Sequence, residues 1–415
     1  MRLSPSAGAA CAAACLLAAI AANGFAQPEL EPTASAFPDR LSVFLENRAL
    51  AEQRIAAIRD EEAANGPYSP ALIDQLKSLA LLYLEIGDSH LAAESFRKAL
   101  QIERANFGLF SLDQVPLIEQ LIEAERARGN LAAAAELERR LLALAYHHPE
   151  DLRSAEILRE AGDRQLALYD LYVERKLPPE ININLGFAGP SARNRPPPGR
   201  FAVLRAQQHY FDAIGVLLRT GSYGHDALPE LERKLLHTYY LELTESGPES
   251  LRVDRLSTLG RQAHERLIAY EALNEGTLED IARAHTALAD WKLLFSHNGA
   301  ALDHYRQVYA ILADAEGHEA LLGELFAPES PIMLPTFVQS PLVAAHSGDE
   351  RYVEVAFVLS RYGKSRAVEV IGTSGAPDKD AVKAVTRLIS RSRFRPIFRN
   401  GEPASAAPVV VRYRF

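Results

Sequence analysis

Residues 76–100 read LKSLALLYLEIGDSHLAAESFRKAL, and this stretch decides the fold of the region around it. Its apolar residues recur at helical spacing both before Gly87 and after Asp88. Gly87 can take the left-handed conformation that ends a helix and reverses the chain. The stretch therefore predicts two antiparallel helices that cross closely. Small residues allow the two helices to cross closely, and Ala80, Ala92 and Ala99 have this role. Large residues fill the groove between one helix pair and the next, and Leu79, Tyr83 and Phe96 have this role.

The same pattern recurs along the chain. A second copy centres on Gly129-Asn130, and a helix over 41–64 precedes the first copy. We predict a third copy at Gly162-Asp163 and a fourth at Ser296-His297-Asn298. The pattern resembles tetratricopeptide repeats, whose helix pairs stack into a solenoid. The spacing from Gly87 to Gly129 exceeds their usual ~34 residues and is similar to the extended repeats of kinesin-light-chain-like proteins.

Composition and breaks in the pattern predict the domain organisation. A chain of 415 residues with 48% apolar and 24% charged residues is expected to form two or three folded domains. Gly189-Pro190 and the three prolines 196–198 predict a loop, or a break between two helical subdomains. The predicted parts are repeats over 40–176, this loop over 177–199, a second helical segment over 200–323, a Pro-rich linker over 324–346 and a tail domain over 347–415.

The tail has the patterns of a small α+β domain, an antiparallel sheet with one helix. Apolar residues alternate through 352–360, Tyr362-Gly363 predicts a hairpin turn, and 367–373 predicts a second strand. A helix over 379–390 follows, then a turn at Asn400-Gly401 and a last strand over 409–415. The predicted fold class is therefore mainly α, a helical solenoid followed by this small domain.

The tail resembles the C-terminal domain of the TonB energy transducers. The resemblance is carried by the first two strands with Gly363 between them, by Asp380 at the start of the helix, and by four later stretches. These are residues 373–377 (TSGAP), 393–396 (RFRP), 400–403 (NGEP) and 411–415 (VRYRF). It implies that a partner peptide adds a strand to the sheet edge formed by 409–415 or its neighbour. The residues predicted to meet a partner are Val410, Arg412, Arg414, Arg393 and Arg395. The alternative is that the arginines only protect an exposed edge from aggregation.

Residues 1–26 have the form of a secretory leader. An apolar run over 7–22 follows Arg2, and small residues at Gly24 and Ala26 predict cleavage before Gln27. An uncleaved membrane anchor is the alternative. Both cysteines, Cys11 and Cys15, lie in this segment, so a processed chain would have no disulfide, thiolate metal site or cysteine nucleophile. We expect export to a bacterial periplasm.

Charge is divided unevenly between the body and the tail. Residues 346–415 contain 13 Lys or Arg and 7 Asp or Glu, a net charge of +6, which leaves −15 on the rest of a chain whose total is −9. An acidic, exported body argues against nucleic-acid binding. The basic tail would suit an acidic partner.

No motif for catalysis, a cofactor or a metal stands out. The dense group His147-His148-Pro149-Glu150-Asp151 has no second matching set and is interpreted as a loop. We therefore expect a non-enzymatic adaptor without cofactor or small-molecule substrate. Its expected partners are proteins or peptides, among them an outer-membrane protein, or else peptidoglycan. The alternatives are TonB-type energy transduction or transport support, and a structural spacer.

Overall fold

The computed structural model describes residues 36–176, 198–246, 253–328, 330–336, 342–344, 352–374, 379–405 and 408–414. The predicted leader with Cys11 and Cys15 lies outside these ranges, as does most of the predicted loop 177–199. The described residues form 13 α-helices and eight short strands, which confirms the predicted fold class. The chain divides into two compact units between Thr220 and Gly221.

The described residues of the first unit form seven α-helices joined by turns, and no strand. A 3₁₀ turn at Leu112–Gln114 precedes its fourth helix. The helices are α1 (Ala36–Asn65), α2 (Ala71–Glu85), α3 (Ser89–Phe107), α4 (Val115–Ala127), α5 (Leu131–His147), α6 (Leu152–Val173) and α7 (Pro198–Arg219).

The predicted helix pairs at Gly87 and Gly129 are confirmed, and their turns are chemically alike. Gly87 and Gly129 have φ of +83° and +74°. The residue after each glycine donates its backbone N–H to the fifth carbonyl before it, at 2.8 Å in both turns. The residues after the two glycines, Asp88 and Asn130, also cap the next helix. The side chain of each accepts a hydrogen bond from the backbone N–H three residues later. Two equivalent turns, one repeat apart, produce two stacked helix pairs, α2–α3 and α4–α5.

The predicted turn at Gly162-Asp163 is wrong. Both residues lie inside the continuous helix α6, which ends at Val173. The left-handed residue of the following turn is Arg175, with φ of +58° and the same backbone hydrogen bonds as the glycine turns. Gly162 is required for another reason. A Cβ at this position would lie 2.4 Å from the ring of Tyr210 in α7. The hydroxyl of Tyr210 donates to Asp163 at 2.6 Å, so the Gly-Asp pair is a contact between helices.

The pairing of α6 with α7 places residues 177–197 within one helix pair of the first unit. The predicted break between two helical subdomains therefore differs from the structure, in which α7 belongs to the first unit. Proline and glycine content alone does not separate an insertion within a pair from a boundary between domains, because both exclude regular helix.

Replacing Gly162 with alanine is expected to lower the stability of the first unit by about 1–3 kcal/mol, the usual cost of overpacking a core. Tyr210 is fully buried and cannot move its ring into solvent. Hydrogen exchange of α6 and α7 amides in the full chain would measure the loss. Gly215→Ala in α7 is the control, since its added Cβ would meet only the flexible end of Arg219. Equal exchange in the two variants would contradict the prediction.

The second unit begins with five helices and ends in the tail. The helices are α8 (Ala227–Ser246), α9 (Val253–Leu273), α10 (Leu278–Leu294), α11 (Asn298–Asp314) and α12 (Glu319–Phe326). The predicted fourth turn is confirmed, with Ser296 at φ of +64° between α10 and α11. The tail elements are β1 (Met333–Leu334), β2 (Leu342–Ala344), β3 (Tyr352–Leu359), β4 (Ser365–Thr373), α13 (Lys379–Arg391), β5 (Arg393–Phe394), β6 (Ile397–Arg399), β7 (Glu402–Ala404) and β8 (Val409–Arg414).

Much of the predicted Pro-rich linker 324–346 is folded where it is described. Phe326 and Leu334 are buried, and they pack with Phe398 from β6 in one core with α10, α11 and α12. β1 pairs with β5, and β2 joins the main sheet. Four prolines exclude long helices but permit short strands, and the apolar residues between them supply the buried contacts.

The main tail sheet has the antiparallel order β2-β8-β3-β4. The alternation predicted for its central strand is confirmed, since Val353, Val355, Phe357 and Leu359 are all buried, against α13. β6 and β7 form a separate hairpin around Asn400-Gly401, as predicted. Among the described residues, the two edges of the four-stranded sheet are β2 and β4, and β8 is an internal strand.

Candidate functional site

The sheet edge was predicted at residues 409–415 or at the neighbouring strand. The first alternative is not found, because β8 has a neighbour on both sides, and the second remains, because the neighbour β2 is at an edge of the described sheet. The strand β8 pairs with β3 from Val409 to Arg414 and with β2 from Val411 to Tyr413. The strand β2 lies within residues 324–346, where the sequence predicts a linker and no strand. Phe415 and the side chain of Arg414 lie outside the described residues.

The other predicted partner residues in β8 are partly buried. Val410 is half-buried. The Nε of Arg412 donates to Glu354 Oε2 at 3.3 Å, and its guanidinium lies 4.3 Å from the centre of the Tyr352 ring. These contacts hold Arg412 against the neighbouring strand β3. Its predicted contact with a partner stays a prediction.

Arg395, also predicted to meet a partner, is instead buried inside the second unit. It donates to both carboxylate oxygens of Asp290 in α10, at 3.0 and 2.6 Å, and Tyr305 donates to the same carboxylate at 2.6 Å. Burial and the Asp290 charge raise the pKa of Tyr305 well above its ordinary value. Arg393 is half-buried and donates to Ser296 at 3.0 Å. Both arginines thus join the tail to the helices.

The first unit contains a better candidate, a cleft of about 790 Å³. We define it as the α3–α5 cleft, because residues of α3 and α5 form its walls and α4 contributes to its floor. Its lining contains similar numbers of apolar residues and of charged or polar residues. The lining is Tyr68, Arg97, Leu100, Gln101, Arg104, Ala105, Leu109, Leu121, Glu125, Ala133, Glu136 and Leu137.

The repeat itself produces this cleft. α3 and α5 are the second helices of successive pairs, each starting at a capped residue after a left-handed glycine. Gly108, at φ of +94°, ends α3 and directs the chain over the cleft as residues 109–114. Leu109 and Tyr68 remain 60% and 52% exposed at the rim. Exposed apolar groups beside an open cleft are typical of a surface that binds a partner.

Most cleft charges are paired within the chain. The carboxylate of Glu125 is buried and accepts from Arg97, Arg128 and Asn130. Glu136 pairs with Arg139. The bond from Arg97 stabilises α4 against α3, and the two sets of bonds leave little free negative charge in the cleft.

Arg104 of the cleft lining and Arg140, which lies outside the lining in α5, share one acceptor. Arg104 Nε and Arg140 Nη2 donate to Gln114 Oε1 at 2.9 and 3.3 Å. Gln114 is fully buried, and its amide nitrogen donates to the carbonyls of Gly108, Leu109 and Ser111 at 3.0, 3.0 and 3.1 Å. Burial and the nearby charge of Arg140 lower the pKa of Arg104 to about 10. The sequence did not indicate this group, because its members meet only when the loop folds over α3 and α5.

The described residues contain no group of three or more His, Cys, Asp or Glu placed to hold a metal ion. In the predicted loop 147–151, His147 stacks on Phe110 at 4.1 Å between ring centres, and His148 Nε2 lies 2.6 Å from the Phe110 carbonyl oxygen. Within the same part of the chain, no helix has the length and apolar content needed to span a membrane.

The sequence matches no protein-family model and no curated protein. Among solved structures, it is similar to BtubC (BKLC) from P. vanneervenii, at 16% identity and a TM-score of 0.33, over 66% of this chain and 93% of that one. It is also similar to the nearly identical TPR-like repeats of a kinesin-light-chain-type protein from Podosopora anserina, at 16% identity and a TM-score of 0.32, over 60% and 98% of the two chains.

Proposed function

We propose that this chain is a non-enzymatic adaptor of the bacterial periplasm that binds segments of partner proteins in the α3–α5 cleft. The observation that carries the proposal is the cleft itself, open to solvent between two helix pairs, with both apolar and charged side chains in its lining and exposed residues at its rim. Surfaces built by stacked helix pairs commonly bind extended or helical segments of other proteins.

The periplasmic part of the proposal rests on the leader-like residues 1–26 and on the placement of both cysteines within them. The resemblance of the tail to the TonB C-terminal domain further predicts that a partner peptide adds a strand to the tail sheet. With β8 internal, the strand that a partner would meet is β2 or β4.

Photocrosslinking in the organism's own cell envelope tests the proposal. A photoreactive residue replaces Gln101, which is exposed and lines the cleft, or Glu94, which is exposed on the same helix outside it. We expect Gln101 to give specific adducts with one or a few protein segments, and Glu94 to give none of these. The N-terminal sequence of the recovered chain should begin at Gln27.

Two outcomes would contradict the proposal. Identical adducts from Gln101 and Glu94 would show that the cleft has no special role, and the absence of adducts from Gln101 would favour a structural spacer. Recovery of the chain only from the cytoplasm would contradict the predicted export.

A further inference from the structure

We propose that Arg104, in the lining of the α3–α5 cleft, and Arg140, beside it in α5, form a carboxylate-binding site that takes an Asp or Glu side chain of the bound segment. The proposal rests on the proposed function, since it assigns a chemistry to the segment bound there. It stands on four observations: a fixed acceptor between the two arginines, the lack of a carboxylate partner for either, a buried N–H without an acceptor, and the apolar lining next to them.

The acceptor that organises the site is rigid. Because the Gln114 amide nitrogen donates to three backbone carbonyls, its oxygen must face the two guanidinium groups. A second bond, from Arg140 Nη2 to the Leu109 carbonyl at 3.0 Å, fixes Arg140 to the loop over the cleft. Both arginines are therefore held in place before a ligand arrives, which lowers the entropic cost of binding.

The two arginines differ from the others nearby. Six arginines lie between Ser89 and His147. Four of them, Arg97, Arg126, Arg128 and Arg139, form ion pairs with glutamates. Within the described residues, no carboxylate is within ion-pair distance of Arg104 or Arg140, which meet only neutral oxygens.

The site also has unused hydrogen-bonding capacity. Arg140 Nε is buried and has no hydrogen-bond partner. Two half-buried cations that share one neutral acceptor repel each other, and burial together with this repulsion lowers the pKa of Arg104. An anion beside the pair would relieve the repulsion, and a carboxylate can accept charge-assisted bonds from both guanidinium groups.

The apolar surroundings define the rest of the ligand. Arg104 lies among Leu100, Ala105 and Leu109 in the cleft lining. A free inorganic anion would leave these side chains exposed to water. A peptide with an aliphatic residue beside Asp or Glu would cover them and pair the arginines at once.

A peptide array probed with the purified full chain tests this chemistry. The array contains short peptides with Leu beside Glu, each matched by a peptide in which Gln replaces Glu. We expect the Glu peptides to bind about tenfold or more tightly than their Gln matches, as for loss of charged hydrogen bonds. In the Arg104→Gln and Arg140→Gln variants, the ratio of the affinities for the Glu and Gln peptides should fall toward one. Hydrogen exchange should show protection of residues 97–140 in the complex.

Arg48→Gln is the control, because it removes the same charge at an exposed position in α1, and neither Arg48 nor its ion-pair partner Glu52 lies in the cleft lining. It should keep the preference for Glu. The Glu-to-Gln comparison on the unchanged chain remains decisive even if Arg104→Gln fails to fold. Equal binding of both peptides in the cleft would overturn the carboxylate site and leave the proposed function standing. Failure of every peptide to protect the cleft would contradict the proposed function as well.

Discussion

Replacing Asp290 with alanine is expected to lower the free energy of unfolding of the second unit by about 3–5 kcal/mol, the usual cost of leaving one partner of a buried ion pair alone. Asp290 and Arg395 are 3% and 8% exposed, so the remaining guanidinium could not reach water without local unfolding. The hydroxyl of Tyr305 would lose its acceptor at the same time. Because Asp290 is in α10 and Arg395 is in the tail, we expect the tail to separate from the helices early in unfolding.

The fluorescence of Trp291 during urea denaturation measures this effect in the full chain. Trp291 is the only tryptophan of the sequence, is buried in the second unit, and lies next to Asp290. The double variant Asp290→Ala with Arg395→Met should recover much of the loss, since it removes both charges and keeps an apolar side chain.

An exposed ion pair provides the control for this prediction. Arg306 in α11 donates to Glu402 in β7 at 2.9 and 3.1 Å, and both side chains are exposed. Arg306→Ala should cost at most about 1 kcal/mol. A loss for Asp290→Ala no larger than the loss for Arg306→Ala would show that the buried pair does not join the tail to the helices.

The local signals in the sequence predicted the elements well. Gly87, Gly129 and Asn400-Gly401 mark turns because left-handed backbone favours Gly and Asn, and the alternation of 352–360 marks a buried strand because side chains of a strand alternate between faces. Each of these signals depends on neighbouring residues alone, which is why it could be recognised without a structure.

The errors concern contacts between residues far apart in the chain. Gly162 looked like a turn, but its lack of a side chain makes room for Tyr210 in the following helix α7. Arg395 looked like a surface residue of the tail, but its partner Asp290 is 105 residues earlier. The position of β8 depended on pairing with a short strand in a proline-rich stretch. The group of Arg104, Arg140 and Gln114 likewise forms only when α3, α5 and the 3₁₀ turn between α3 and α4 meet, so no local pattern could reveal it.

Replacing Gly363 with alanine is expected to destabilise the second unit by about 2–5 kcal/mol, from left-handed backbone strain in a residue with a Cβ and from a severe clash. Gly363 has φ of +68°, and an added Cβ would lie 1.8 Å from the carbonyl oxygen of Phe394. That oxygen cannot move freely, because the Phe394 N–H donates to the Gly363 carbonyl at 2.9 Å and the Phe394 side chain is buried. The hairpin between β3 and β4 would therefore have to separate from β5.

Gly401→Ala is the matched control for this substitution, because it separates backbone strain from the clash. Gly401 has φ of +80°, and the nearest atom to an added Cβ is 3.6 Å away, in the ring of Tyr309. Its variant should lose only the strain of a left-handed alanine, about 1–2 kcal/mol. Urea denaturation followed by Trp291 fluorescence gives both values. Equal losses in the two variants would mean that the contact between Gly363 and Phe394 contributes nothing, and that strand β5 is not held against the hairpin as closely as the structure places it.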